Sequence, residues 1–227
     1  MKKAYIYTIL SIFLVFIFVR ASVATSSEKT EDVVTSEETK KKPYSTEQEE
    51  KAYELFEEIL TLTETSDIQA VLPQMEALYL RIIKEYPDIA LAQESYWRLI
   101  SLYVDKSTPP SYEKAEDLYN EFLKKYPGSV MKNLIEDTLS KSYYKNEKWD
   151  KLLKLCSPAF DEFNETGKLA NPNPMFMCAE AKFNLGDIVE AEKAYKVVIE
   201  LFPKSNRAAT AKARLEEIKK RKLNYPK

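Results

Sequence analysis

Three segments of this chain end in the same way: Tyr79 to Pro87, Tyr119 to Pro127 and Tyr195 to Pro203. Each runs from a tyrosine to a second aromatic residue seven positions on, followed at once by proline. Prolines stop helices, so each segment reads as the last two turns of a helix and its terminator. The prolines lie 40 and then 76 residues apart, and 76 is twice 38, which leaves room for one further copy lacking its proline. A helix stop recurring at such an interval restricts the chain to an array of like units. A simple amphipathic bundle would share the periodicity of the helices but not this ending.

The last copy shows the unit in full. Met175, Cys178, Ala179 and Phe183 share one face of a helix, and Ala191, Ala194, Tyr195, Val198 and Phe202 share one face of the next. Between them, Leu185-Gly186-Asp187 forms a corner that uses the free backbone of glycine. The small side chains of Ala179 and Ala191 let the two axes approach, with Tyr195 and Val198 filling the space beside them. The copy without proline is also present. Leu139, Ser140, Tyr143 and Trp149 take the corresponding places, followed by Leu152 and then Cys156, which stands where Tyr195 stands in the last copy.

This constellation resembles the tetratricopeptide repeat, whose glycine, alanine, aromatic and proline positions are occupied here by Gly186, Ala191, Tyr195 and Pro203. Cys178 and Lys182 depart from the pattern of its first helix. The resemblance extends over 67–221 and is strongest in the last repeat. It implies an all-α, right-handed superhelical solenoid of about four helical hairpins plus a C-terminal capping helix, spanning 45–223 with a tail at 224–227.

In chain order, a capping-box spacing at Ser45-Thr46 with Gln48 and Glu49 opens the first helix, which extends through Leu62. Its partner runs from about Asp67 to Tyr86, with Pro73 in its first turn or at a kink. The next first helix covers Asp88 to Tyr103, with Tyr96, Leu99, Ile100 and Tyr103 toward the core, and three extra residues are inserted in its turn. Ser129 caps the third first helix, which ends near Lys145 and pairs with Trp149 to Phe163. Glu165 to Pro174, with Gly167 and Asn-Pro-Asn-Pro, predicts a surface loop. Ser205 caps a final helix to about Arg221, whose narrow apolar stripe is Ala208, Ala211, Leu215 and Ile218.

Composition narrows the chemistry. Histidine is absent, which removes the commonest general base and metal ligand, and the formal charge of −2 gives no electrostatic footprint for nucleic acid. There is no phosphate-binding glycine loop, nucleophile elbow or metal-ligand spacing. Acid pairs such as Glu57-Glu58 and Glu216-Glu217 are expected on solvated helix faces, so an enzyme with a carboxylate site is the least favoured reading. No catalytic residue, metal or cofactor is expected. Cys156 and Cys178 both occupy core positions of the repeat, which suits either two small buried residues or a disulfide closing a loop of 22 residues. The Lys219 to Lys222 run reads as cations completing a helix C-terminus.

At the N-terminus, Lys2-Lys3, the apolar run Ala4 to Val19 and Ser22-Val23-Ala24 read as a secretory signal over 1–24 with cleavage after Ala24. Its apolar stretch is short beside the roughly 20 residues of a comfortable membrane span. The alternative is an uncleaved anchor, which the alternative function, a membrane-anchored chaperone partner, would require. Either places the repeat domain outside the cytoplasm, in the periplasm or an equivalent exported location. Residues 25–44 lack apolar periodicity and are expected to be a disordered linker. With the Tyr-Pro endings, this resembles the bacterial envelope tetratricopeptide proteins, the BamD-like component of outer-membrane protein assembly and the coordinators of envelope constriction. It departs from the BamD type in having no lipid-accepting cysteine after the apolar run.

The resemblance implies that the protein is an adaptor whose first helices form a concave groove for a segment of another protein. Counting from Tyr103, Tyr143 and Gly186, the groove set is Glu94, Trp97, Ser101, Asp137, Lys141, Tyr144, Phe176, Glu180 and Phe183. Large aromatics at positions meant for solvent point to a partner, so Trp97, Tyr144, Phe176 and Phe183 are the expected anchors. A register shifted by one would instead place Trp97 in the core.

Overall fold

The computed structural model describes residues 46–224. The expected signal or anchor (1–24), the linker (25–44), Ser45 and the last three residues of the tail (225–227) lie outside the described residues. Among the described residues nine α-helices follow one another: α1 (Thr46–Thr65), α2 (Ile68–Glu85), α3 (Ala90–Ser101), α4 (Tyr112–Lys125), α5 (Met131–Lys145), α6 (Trp149–Thr166), α7 (Asn173–Asn184), α8 (Ile188–Leu201) and α9 (Asn206–Asn224). They form four antiparallel hairpins and a closing helix, an all-α solenoid.

The three proline endings adopt one backbone conformation. Tyr86, Tyr126 and Phe202 have φ/ψ of −129/51°, −132/60° and −130/54°. A residue before proline is pushed out of the α region, which ends the helix there. Each still donates its N–H four residues back, to Ile82, Phe122 and Val198. Each carbonyl then accepts from three residues on, from Ile89, Ser129 and Ser205, closing a turn around the proline. The next helix starts at once. Ser129 Oγ accepts from the Met131 N–H and Ser205 Oγ from the Ala208 N–H, both at 3.1 Å, while Asp67 Oδ1 caps α2 through the Gln69 N–H at 2.8 Å.

The expected three-residue insertion takes the form of a π-helical turn, Leu102–Lys106, that prolongs α3 with Leu102, Tyr103 and Val104 buried. Pro73 lies inside α2, beyond the first turn. The third hairpin ends differently from the others. With no aromatic-proline pair, α6 continues to Thr166 and stops at Gly167 in the left-handed region, φ 66°.

The first helices α3, α5, α7 and α9 contact one another in succession, forming an inner layer, and each is flanked by the second helix of its own or the preceding hairpin. The backbones of α4 and α5 approach less closely than those of α6 and α7. Side chains span that joint: Tyr119 Oη donates to Glu136 at 2.5 Å, Tyr143 Oη to Glu116 at 2.7 Å, and Lys151 pairs with Glu116 at 2.6 Å. Tyr126 Oη donates to the Pro87 carbonyl at 2.6 Å, so one repeat's ending is tied to the previous one. Tyr79, Tyr119 and Tyr195, equivalent residues of three second helices, are all buried. Cys156 and Cys178 are joined as a disulfide with Cα atoms 5.6 Å apart, linking α6 to α7.

Two corners show what a left-handed backbone demands. Gly186 has φ 90°, and nothing lies within 4 Å of where a Cβ would sit, so its conformation rather than crowding calls for glycine. Glu147, at the same corner of the third hairpin, adopts φ 56° with a full side chain. Gly186→Ala should therefore lower stability by about 1 kcal/mol. At Glu147→Gly, relieved strain is offset by flexibility gained in the unfolded chain, and stability should shift by less than about 1 kcal/mol in the opposite direction. Urea melts of the two variants check the pair.

Burial pushes the phenols of Tyr79 and Tyr126 up to about 12 and those of Tyr96, Tyr119, Tyr143 and Tyr195 higher still, with carboxylate neighbours adding to the effect in the last four. These groups stay protonated more readily folded than unfolded. The stability they contribute is complete below pH about 10 and is lost as pH rises toward their folded values. In an alkaline titration, their tyrosinate absorbance should appear only in step with the loss of helical circular dichroism. Ionisation of every tyrosine near pH 10 with the helices intact would contradict this.

Candidate protein-binding groove

The inner layer divides the nine groove candidates into two groups. On α3, Glu94 and Trp97 are half-buried, and Ser101 is half-buried at the helix end. Tyr96, next to Trp97, is fully buried and donates through Oη to Glu121 at 2.6 Å. That places Tyr96 in the core and leaves an edge of Trp97 uncovered. Trp97 Nε1 donates to Thr138 Oγ1 of α5 at 2.9 Å. Glu94 accepts from Arg98, whose guanidinium lies 5.5 Å from the Trp97 ring and 5.1 Å from Phe56. On α5, Lys141 is exposed and pairs with Asp137 at 2.5 Å, and Asp137 also accepts from Asn173 Nδ2 at 3.0 Å. Tyr144 is half-buried against Trp149 and donates to Glu180 at 3.1 Å.

Phe176, Glu180 and Phe183, on α7, do not face open space. Their exposures are 1%, 0% and 5%. The helix that covers them is α9, which lays a stripe of arginines at every seventh position over them. Arg207 sits 4.7 Å from the Phe176 ring, and Arg214 and Arg221 sit 5.1 and 4.7 Å from Phe183. The expectation that Phe176 and Phe183 wait for a partner is corrected: the chain supplies the covering helix itself.

Glu180 is the pivot of that contact. Its two oxygens accept from Arg214 Nε and Nη2, both at 2.9 Å, and from the hydroxyls of Tyr195 at 2.7 Å and Tyr144 at 3.1 Å. A carboxylate this buried is tolerated only with such a full set of donors. The Glu180 carboxylate holds Arg214 firmly protonated, and Arg214 in turn draws Glu217 below the usual carboxylate range. The reading of α9 from its apolar stripe located Ala208, Ala211 and Ile218, which are buried, but missed the arginines beside them. Their signal was the seven-residue spacing of 207, 214 and 221, two turns of helix apart.

Of the acid pairs, Glu57, Glu58 and Glu216 are exposed, and Glu217 is held by Arg214 and Arg221. Among the described residues no cluster of Cys, Asp and Glu is arranged to hold a metal ion, and no helix is long and apolar enough to cross a membrane.

Helical hairpins stacked through their first helices, with aromatic and charged side chains along the inner layer, define a repeat scaffold of the class that typically binds proteins rather than transforms substrates. A family model for the tetratricopeptide repeat matches residues 175–205. This stretch spans α7 from its third residue, the Gly186 corner, α8 and the Phe202-Pro203 ending, and it is similar to that family. No curated protein matches the chain. The match and the hairpin array together support a tetratricopeptide-like scaffold for protein–protein interaction.

The Glu180–Arg214 contact can be tested by a cycle. Arg214→Met leaves a buried carboxylate without its counter-charge and should cost about 3 kcal/mol. Pairing it with Glu180→Met should recover most of that loss, because the apolar pair has no charge to desolvate. Denaturant unfolding of the two single variants and the double variant measures the coupling.

Proposed function

We propose that the protein is an exported adaptor that holds a segment of another protein against the inner face of its second and third hairpins, in the assembly or maintenance of a cell envelope. The observation that carries this reading is Trp97. Its side chain is partly buried against the core on the inner layer, pinned by Thr138 and flanked by Arg98, while its neighbour Tyr96 takes the fully buried position. A rigid, partly exposed tryptophan beside an arginine has the chemistry of an interface anchor. The last hairpin has its equivalent positions closed by α9, so the proposed binding face is confined to Glu94, Trp97, Ser101, Asp137 and Lys141, with Tyr144 at its edge. Export is supported by Lys2-Lys3 and the apolar run that follows, and by the disulfide, which belongs in an oxidising compartment.

A photo-crosslinking amino acid beside Trp97, used in the native cells and followed by identification of the attached protein, tests the reading. Trp97→Ala should abolish that capture while costing less than about 2 kcal/mol, whereas Phe183→Ala should cost about 3 to 5 kcal/mol because its ring lies in the core. Full capture by the Trp97→Ala protein would remove the groove assignment. Sequencing the N-terminus of the mature protein decides between cleavage after Ala24 and a retained anchor.

A further inference from the structure

The third hairpin contains a cavity of about 680 Å³. It lies between the start of α5, the second half of α6 and the start of α7, with the 168–171 loop along one side. Its origin is visible in the repeat. Where the other second helices bury Tyr79, Tyr119 and Tyr195, α6 has Cys156, and three residues on, where they bury Ile82, Phe122 and Val198, α6 has Ala159. Cys156 and Ala159 both line the cavity. Two large side chains are missing from positions that are filled in the other three hairpins, and the disulfide to Cys178 holds α6 against α7 in place of the missing contacts. The cavity opens to the surface where Pro158, Glu162, Lys168 and Ala170 are exposed, so a side chain from elsewhere can enter it.

We infer that the cavity is a second recognition site, which takes a tyrosine side chain from a partner protein segment. The remaining hairpins show what fits. Tyr96, Tyr119 and Tyr195 each bury an aromatic ring and donate the hydroxyl to a glutamate, at 2.6, 2.5 and 2.7 Å. The cavity offers the same two surfaces. Leu155, Ala159 and Met177 supply apolar wall, and the exposed Glu162 carboxylate supplies an acceptor for a phenol, beside Asp137, which is already paired with Lys141 and Asn173, and the cations Lys132 and Lys168. Its volume is within the range of about 300 to 1,000 Å³ usual for ligand sites, enough for the ring and the backbone on either side of it. The inference rests on the protein-binding reading above, but it can fail separately, because its test uses a small probe and no partner.

The probe is N-acetyl-tyrosinamide, titrated into the oxidised, isotope-labelled full chain and followed by nuclear magnetic resonance. Saturable shifts at Leu155, Ala159 and Met177, with an apparent affinity of about millimolar for so small a molecule, are expected. Ala159→Phe restores the side chain that Phe122 provides in the second hairpin. It should weaken the probe at least tenfold while the melting temperature holds or rises. Should Ala159→Phe fail to fold, Ala170→Trp at the exposed lip of the cavity applies the same criterion from outside. The inference is overturned by the absence of saturable shifts, by shifts confined to other hairpins, or by equal binding to the filled variant. Self-association that displaces the probe would assign the cavity to a second copy of the chain and overturn it as well.

Discussion

Stacking in this solenoid depends on a tyrosine ring buried in the second helix of a hairpin with its hydroxyl satisfied. Burying such a ring contributes about 3 kcal/mol, but an unpaired phenol in the same place would cancel about 1 to 3 kcal/mol of it. Tyr119 and Tyr195 resolve this with Glu136 and Glu180. The two glutamates come from different places. Glu136 belongs to the next first helix, so its bond joins two hairpins, whereas Glu180 belongs to the same hairpin as Tyr195 and is itself shared with α9 through Arg214. One kind of interaction thus serves as joint and as end-stop.

Where the tyrosine is missing, the architecture changes around it. The third hairpin has Cys156 at that place, and a covalent bond to α7 stands in for ring packing. It also lacks the aromatic-proline ending, so α6 runs on past the point where the other second helices stop, and a loop must lead back to α7. That loop is fastened on both sides by Asn173, which donates to Asp137 of α5 and accepts from Arg207 of α9 at 2.9 Å. The cavity, the long loop and the disulfide are three results of one divergence in α6.

The hairpin array was legible because its signals are local. An aromatic before proline stops a helix whatever surrounds it, and the recurrence at one interval gave the number of hairpins. The same periodicity placed Tyr96, Leu99, Ile100 and Tyr103 in the core, where they are found. On α3 and α5 the groove candidates Glu94, Trp97, Ser101, Asp137, Lys141 and Tyr144 lie at least partly at the surface. At α7, Phe176, Glu180 and Phe183 are buried rather than open, because spacing within a helix carries no information on which other helix will lie across it. The arginine stripe of α9 was the missing clue, and it has meaning only when read against the carboxylate and rings of α7. The π-turn at Leu102–Lys106 was foreseen as an insertion but not as helix, because extra residues can be absorbed by widening a turn of helix as well as by a loop.

The disulfide has a mechanical consequence. When a repeat array is drawn out from its ends, each hairpin that opens releases chain roughly in proportion to its length. The bond between Cys156 and Cys178 removes 22 residues from that release, about 75 Å of extended chain at about 3.4 Å per residue. It runs from the second helix of one hairpin to the first helix of the next, so tension passing along the backbone is carried through sulfur at the point where ring packing is absent. A load would thus bypass residues 157–177, the end of α6, the loop and the start of α7.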